Sequence, residues 1–326
     1  MTKNNFQKII PVFRQLTKQG VHDVDFKDRK TTFYCGHNAL EVFIKNNKVF
    51  KTFSDENIKH TLVDEGLILS VGRTKQHDMA RLDSFNCGIN YATCPLPLSN
   101  DSFLSDRYNG STDKAALIMH FPRVVILDWK LCQSKGIAEN LPGVGEVAGL
   151  VTSVYDYFIT HGEDNFTPFW HEIKKIVNDL FDIWESNTSD EFRIIHLGAA
   201  LSFKGMLMRT CGDNSIGASC DHMISYFLQE SGFQLPHGVL VFMGMLISLL
   251  VINEDLFDYY FKFGKEIGLI QNKDMMKLLE LDFCDLFRNS ASLRPNRKTI
   301  LRDISRDDAY IIGEKFKRRL SHAGLL

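Results

Sequence analysis

Four short apolar runs early in the chain constrain its fold more than any other feature. Residues 31–36 and 67–72 end in glycine, residues 90–95 end in proline, and residues 124–128 end in Asp128. Each has the length of one strand. Segments with helical spacing lie between them, at 38–45 and from Asp78 onward. Runs that are apolar throughout, rather than alternating, are expected in strands covered on both faces, as in a parallel sheet. Ligands of such sheets bind outside the carboxyl ends of the strands. That rule places candidate sites at Gly36, Gly72, residues 95–105 and Asp128.

From about residue 135 onward the strand pattern gives way to long segments of 3.6-residue period. A helix is expected to open at Thr167 and Pro168, with Phe169, Ile173, Ile176, Val177, Leu180 and Trp184 along one buried face. Further helices are expected at 192–208, 220–230, 238–252, 255–267 and 273–287. A chain of 326 residues exceeds what one core usually serves. The expected organisation is an α/β, Rossmann-like nucleotide-binding domain at 1–133 followed by an all-helical, metal-binding domain at 134–326.

Charge narrows the partners. Lys and Arg number 38 against 40 Asp and Glu, which provides no broad positive surface for nucleic acid. The longest apolar run, 239–252, is shorter than the roughly 20 residues a bilayer crossing takes. It reads as a helix buried on all sides, so no membrane partner is expected. Seven scattered cysteines with no Cys-x-x-Cys pair read as reduced thiols. With no export signal in the opening residues, the expected location is cytoplasmic.

Two histidines stand at the openings of consecutive helices in the second half. His222 follows the small-residue stretch 217–220, and His237 precedes the buried helix. One helix and a tight return would bring the two imidazoles face to face. A divalent ion bound by them would take a carboxylate as third ligand and keep a position open for substrate. Glu146 in Gly143-Val-Gly-Glu146 is the candidate, because its glycines let backbones approach and an unpaired carboxylate in apolar surroundings is costly. Each of the three taken singly reads as a helix cap, a first-turn acid or a satisfied core residue. Their combination is what suggests a centre, beside a cleft between the domains.

Several ordered motifs coincide with these features. Residues 69–81 read as a strand, a turn and an Asp-x-Ala-Arg helix from Asp78 to Arg81. Residues 97–105 contain Ser99-Asn-Asp101 and end at Ser105, and residues 124–128 supply the next strand. Gly143-Val-Gly-Glu146, Cys220-Asp-His222, His237-Gly238 and Arg294-Pro-Asn-Arg-Lys-Thr-Ile-Leu301 follow in turn. Together they resemble the superfamily joining iron-containing alcohol dehydrogenases, sn-glycerol-1-phosphate dehydrogenases and 3-dehydroquinate synthases, most nearly the glycerol-1-phosphate dehydrogenase branch. The resemblance implies a dehydroquinate synthase-like fold, one divalent ion on Glu146, His222 and His237, and NAD or NADP at the turn after residue 72. Zinc is the first expectation, with iron, nickel, manganese and cobalt compatible with the same donors. The implied cofactor residues are Gly72, Arg73, Thr74, Lys75, Asp78, Ser99 and Ser105, and Asp101 would hydrogen-bond the substrate.

The chain also departs from the family pattern. Only Gly72 remains of the family's turn glycines, with Arg73, Thr74 and Lys75 after it. The helper lysine that follows the metal carboxylate in either branch is replaced by Gly149 or Leu150, and Val239 stands where an acid follows His-Gly. The leading expectation is a metal-dependent, NAD(P)-linked oxidoreductase acting on a small phosphorylated polyol or ketone. Glu146, the carboxylate type of the synthase branch, motivates a sugar-phosphate cyclase or lyase as the alternative. The missing helper residues motivate a third, a non-catalytic binding or assembly protein. The partner would be a small phosphorylated molecule, and a homo-oligomer stays open.

Overall fold

The computed structural model describes residues 3–26, 29–54, 59–60, 66–108, 117–162 and 167–325. Contacts divide the chain into two units, Met1–Gly143 with Thr188–Asp213, and Val144–Asn187 with Asn214–Leu326. This partition differs from a single break at 133/134. The helix Asp190–Cys211, buried along nearly its whole middle, packs on the helix Lys3–Leu16 and on Trp129–Ser134, and so joins the first unit. A chain that leaves a unit and returns to it shows no compositional step at the return.

The first unit holds a seven-stranded sheet. Its strands are β1 (Gly20–Phe26), β2 (Arg29–Gly36), β3 (Val49–Phe53), β4 (Lys59–His60), β5 (Leu67–Gly72), β6 (Tyr91–Pro95) and, after the small pair β7 (Arg107–Tyr108) and β8 (Leu117–Ile118), β9 (Val124–Asp128). The order is β1-β2-β9-β6-β5-β3-β4. The five inner strands run parallel, and the outer two are antiparallel to their neighbours. β6 and β9 are buried at every position, which is why they read as continuous apolar runs. Gly36 lies opposite Asp128 and Gly72 opposite Pro95, so each pair of chain exits sits level at the carboxyl edge. β3 escaped the sequence reading because Lys51 interrupts it. The Lys51 ammonium is met by Asp83 and lies 4.6 Å from the centre of the Phe53 ring.

The helix after β5 runs from Thr74 to Cys87, four residues earlier than expected at Asp78. Gly72 has φ of 144°, a conformation suited to glycine, and turns the chain straight from strand into helix. His77 is fully buried against the sheet, with Nδ1 2.7 Å from Ser70 Oγ. Burial, reinforced by the nearby Arg81 charge, pushes its pKa down to about 3, so the ring stays neutral. Its partners on the same helix face, Ala80, Arg81 and Ser84, are buried as well, a spacing visible in the sequence.

The second unit contains helices and no strand among its described residues. The expected stripe lies on the helix Thr167–Glu185 and is buried from Ile173 to Trp184; the side chains of Thr167 and Pro168 lie outside the described ones. The apolar helix His237–Ile252 is buried continuously from Gly238 to Leu250 and packs against Leu150–His161, Cys220–Glu230, Asp255–Glu266 and Arg306–His322. No helix among the described residues is long and apolar enough to cross a membrane. The segment expected as one helix at 273–287 is two, Asn272–Leu278 and Phe283–Ser292. Asp282 divides them by accepting hydrogen bonds from the Cys284 and Asp285 backbone N–H groups, as an N-cap does.

Candidate metal centre

Glycines set the spacing of the three helices that carry the expected ligands. A Cβ on Gly145 would lie 2.1 Å from the Gly238 carbonyl oxygen, and one on Gly244 would lie 2.2 Å from the carbonyl oxygen of Asp221. The helices Pro142–Ala148, Cys220–Glu230 and His237–Ile252 therefore touch backbone to backbone. Such contact leaves no room for side chains between them. The result is convergence: one donor atom from each of Glu146, His222 and His237 lies within 4.8 Å of the others. His222 Nε2 is 3.1 Å from Glu146 Oε1, and His237 Nε2 is 3.7 Å from Glu146 Oε2.

The three candidate ligands differ in exposure. Glu146 and His222 are buried, whereas the His237 side chain is 34% exposed. The centre thus has a closed side and an open one, the arrangement of a metal site that leaves a position for substrate. Behind His222, Nδ1 lies 2.7 Å from Asp221 Oδ2. The other Asp221 oxygen accepts hydrogen bonds from Ser153 Oγ at 2.5 Å and from the Ser219 N–H at 3.1 Å. A carboxylate that accepts a hydrogen bond from Nδ1–H leaves the Nε2 lone pair for a cation and raises the basicity of the ring. Two imidazoles, one carboxylate and a hydrogen-bonded carboxylate behind them fit a divalent transition ion.

Asp221 also explains the missing helper lysine. A Cβ on Gly149 would lie 2.3 Å from Asp221 Oδ2 and 2.8 Å from Val241 Cγ1. No larger residue fits there while Asp221 braces His222, and the next residue, Leu150, is fully buried. Asp221 itself went unassigned in the sequence reading, although its place immediately before His222 was the available signal. Replacing Asp221 by Asn should weaken zinc binding by about 10- to 100-fold, because an amide N–H facing Nδ1 favours the wrong tautomer. Competition with a chromophoric chelator measures this, and an unchanged affinity would remove Asp221 from the centre.

The C-terminal motif proves largely structural. Arg297 donates to the Ala218 carbonyl, Thr299 Oγ1 donates to Asp156 Oδ2 at 2.8 Å, and the Ile300 N–H donates to Asp156 Oδ1 at 2.7 Å. Asp156 also accepts from Ser219 Oγ at 2.6 Å and the Cys220 N–H at 3.1 Å. One buried carboxylate therefore ties residues 299–300 to the start of the helix bearing His222.

In the first unit the expected cofactor residues gather at the carboxyl edge of the sheet. A Cβ on Gly72 would lie 3.0 Å from both Cγ and Oε1 of Gln76, and Gln76 Oε1 accepts the Arg73 N–H at 3.1 Å. Gln76 thus lies across the glycine and takes up a turn amide. Arg73 pairs with Glu139 at 2.5 Å, and Lys75 is exposed. Thr74 Oγ1 accepts from Asn100 Nδ2 at 2.8 Å, joining the turn to the loop after β6. Asp78 pairs with the buried Arg81 guanidinium, which also donates to the Ser102, Ser105 and Arg107 carbonyls. Asp78 acts on that loop through Arg81. Ser99 is half-buried, and Ser105 Oγ accepts the Arg107 N–H at 3.0 Å. Asp101 lies 3.6 Å from the ammonium of Lys204, which is fully buried on the helix Asp190–Cys211.

Comparison with known proteins adds similarities in sequence and in fold. No family model matches the chain. Glycerol-1-phosphate dehydrogenase [NAD(P)+] of Methanobrevibacter smithii is 21% identical over 288 residues, covering 85% of this chain and 82% of that protein. A probable glycerol dehydrogenase from Sinorhizobium meliloti superposes with a TM-score of 0.59 at 18% identity, covering 77% of each chain. The chain resembles this superfamily in sequence and shares its fold. A 2-deoxy-scyllo-inosose synthase has the same fold, with a TM-score of 0.58 at 15% identity over 83% of this chain and 89% of that one. One scaffold therefore hosts differently named activities, and the fold alone does not choose among them.

Proposed function

We propose that the protein is a metal-dependent, NAD(P)-linked oxidoreductase acting on a small polyol phosphate or ketone phosphate. The convergence of Glu146, His222 and His237 carries this reading, and relatives named glycerol-1-phosphate dehydrogenase supply its reaction class. A divalent ion, zinc first, supplies Lewis-acid polarisation of the substrate hydroxyl or carbonyl oxygen, and a nicotinamide supplies the hydride partner. The chain's residues provide the geometry. Asp221 fixes the His222 tautomer, buried Glu146 balances positive charge, and the exposed His237 edge leaves an approach for substrate. Asp101 offers its carboxylate to a substrate hydroxyl, with the buried Lys204 ammonium 3.6 Å away.

The dinucleotide fits at Gly72 only when Gln76 turns away, since its side chain lies where a pyrophosphate would approach the glycine. Gln76 is unbranched and rotates readily, and Arg73 and Lys75 stand beside it as cations for phosphate. The test is direct. Metal-loaded protein given dihydroxyacetone phosphate should oxidise NADH or NADPH, and a chelator should abolish the reaction. Absence of oxidation with either nicotinamide, despite bound metal, would reject the proposal. Glu146 and the Gln76-covered turn favour a second reading, a cyclase or lyase acting on a sugar phosphate. Product formed without net consumption of nicotinamide distinguishes it.

A further inference from the structure

Arg294 stands apart from the rest of its motif. Arg297 is engaged by the Ala218 carbonyl and Thr299 by Asp156, while Arg302 just beyond donates to the Arg294 and Pro295 carbonyls. The guanidinium of Arg294, in contrast, makes no hydrogen bond or ion pair among the described residues, and its Nε is buried without a hydrogen-bond partner. It lies over the Tyr226 ring, 5.2 Å from the ring centre. Tyr226 in turn stacks on His237, with centroids 5.8 Å apart and planes inclined by 15°.

We infer that Arg294 recognises the phosphate of the substrate at the metal centre. This assignment rests on the reading of the site as one that takes a small phosphorylated molecule. A guanidinium resting over an aromatic ring is held by cation–π attraction without using up its N–H donors. Its N–H edge presents two parallel donors, the match for two oxygens of a phosphate monoester. The buried Nε with its unmet hydrogen bond is unfavourable in the ligand-free protein, and the terminal nitrogens remain free to meet an arriving anion. The distances agree with this role. The guanidinium and the His237 imidazole lie 5.2 and 5.8 Å from the same Tyr226 ring centre, so they are close enough to be spanned by a short carbon chain, a phosphate and one hydrogen bond. Substrate oxygen at the open side of the centre and phosphate at Arg294 would be two anchors of one molecule. An unphosphorylated polyol would lack the second.

Titration of inorganic phosphate into zinc-loaded protein, with elemental analysis of zinc in each variant, tests the assignment. Wild type should bind phosphate, Arg294→Gln should weaken that binding by about tenfold or more, and Arg294→Lys should recover part of it. All three proteins should hold the same zinc content. Equal phosphate affinity in wild type and Arg294→Gln would overturn the inference, as would no binding to wild type. Loss of zinc from Arg294→Gln and Arg294→Lys alike would overturn it too, because the guanidinium would then serve to brace Tyr226 and His237. Phosphate binding is read without turnover. Binding lost in Arg294→Gln, in a protein that oxidises no nicotinamide, would keep the anion site and discard the redox reading.

Discussion

Protein carrying Glu146→Gln should emerge from dialysis against a weak chelator without zinc, under conditions in which the wild type stays loaded. The substitution keeps the size and shape of the side chain and removes only its charge. With Glu146 and His222 both buried, no water-exposed anion replaces the lost carboxylate, and two neutral imidazoles with a neutral amide hold a divalent ion poorly. The drop in affinity should exceed the roughly 10- to 100-fold typical of outer-shell partners such as Asp221. Nicotinamide oxidation should disappear with it. Thermal stability of the metal-free protein should hold or rise, since a buried carboxylate is costly where no cation offsets it. Zinc retained at wild-type affinity would mean that the carboxylate is not a ligand and that the geometry had been misread.

Asp156→Ala should have the largest effect on stability, a loss of about 4 kcal/mol or more in chemical denaturation. Four donors converge on this carboxylate: Ser219 Oγ, the Cys220 N–H, Thr299 Oγ1 and the Ile300 N–H. Each buried donor left unmet costs about 1–3 kcal/mol, and water entering the vacated space recovers part of the total. Burial nevertheless raises the Asp156 pKa above the usual aspartate range despite those bonds. Desolvation thus outweighs the hydrogen bonds in setting the charge state, and the contribution of the group lies in joining two distant segments. Because one of those segments begins the helix of Asp221 and His222, zinc affinity should fall in the same variant. A loss below about 1 kcal/mol would show that the donors find other partners easily.

The motif 294–301 shows why such roles are hard to read in one dimension. Residue type alone suits Arg294 and Arg297 equally to binding and to scaffolding. Only their partners separate them, with Arg297 and Thr299 engaged by protein groups far away in the chain and Arg294 resting on Tyr226. His77 gives the converse case. No sequence neighbour named a partner for it, and the sheet beneath supplied Ser70. β3 was hidden by one lysine whose charge is met across the fold by Asp83.

What the sequence determined by itself was periodic or local: the inner strands β2, β5, β6 and β9, the helical second half, and the residue types of the candidate donors Glu146, His222 and His237. Period and residue chemistry are properties of neighbouring positions, so they survive without coordinates. The tertiary structure alone decided that Gly145, Gly149 and Gly244 bring backbones and the Asp221 carboxylate into contact, and that Gln76 covers Gly72. It also returned the helix Asp190–Cys211 to the first unit. These depend on which surfaces meet, and close packing settles that through the shape of the whole core rather than through any one segment.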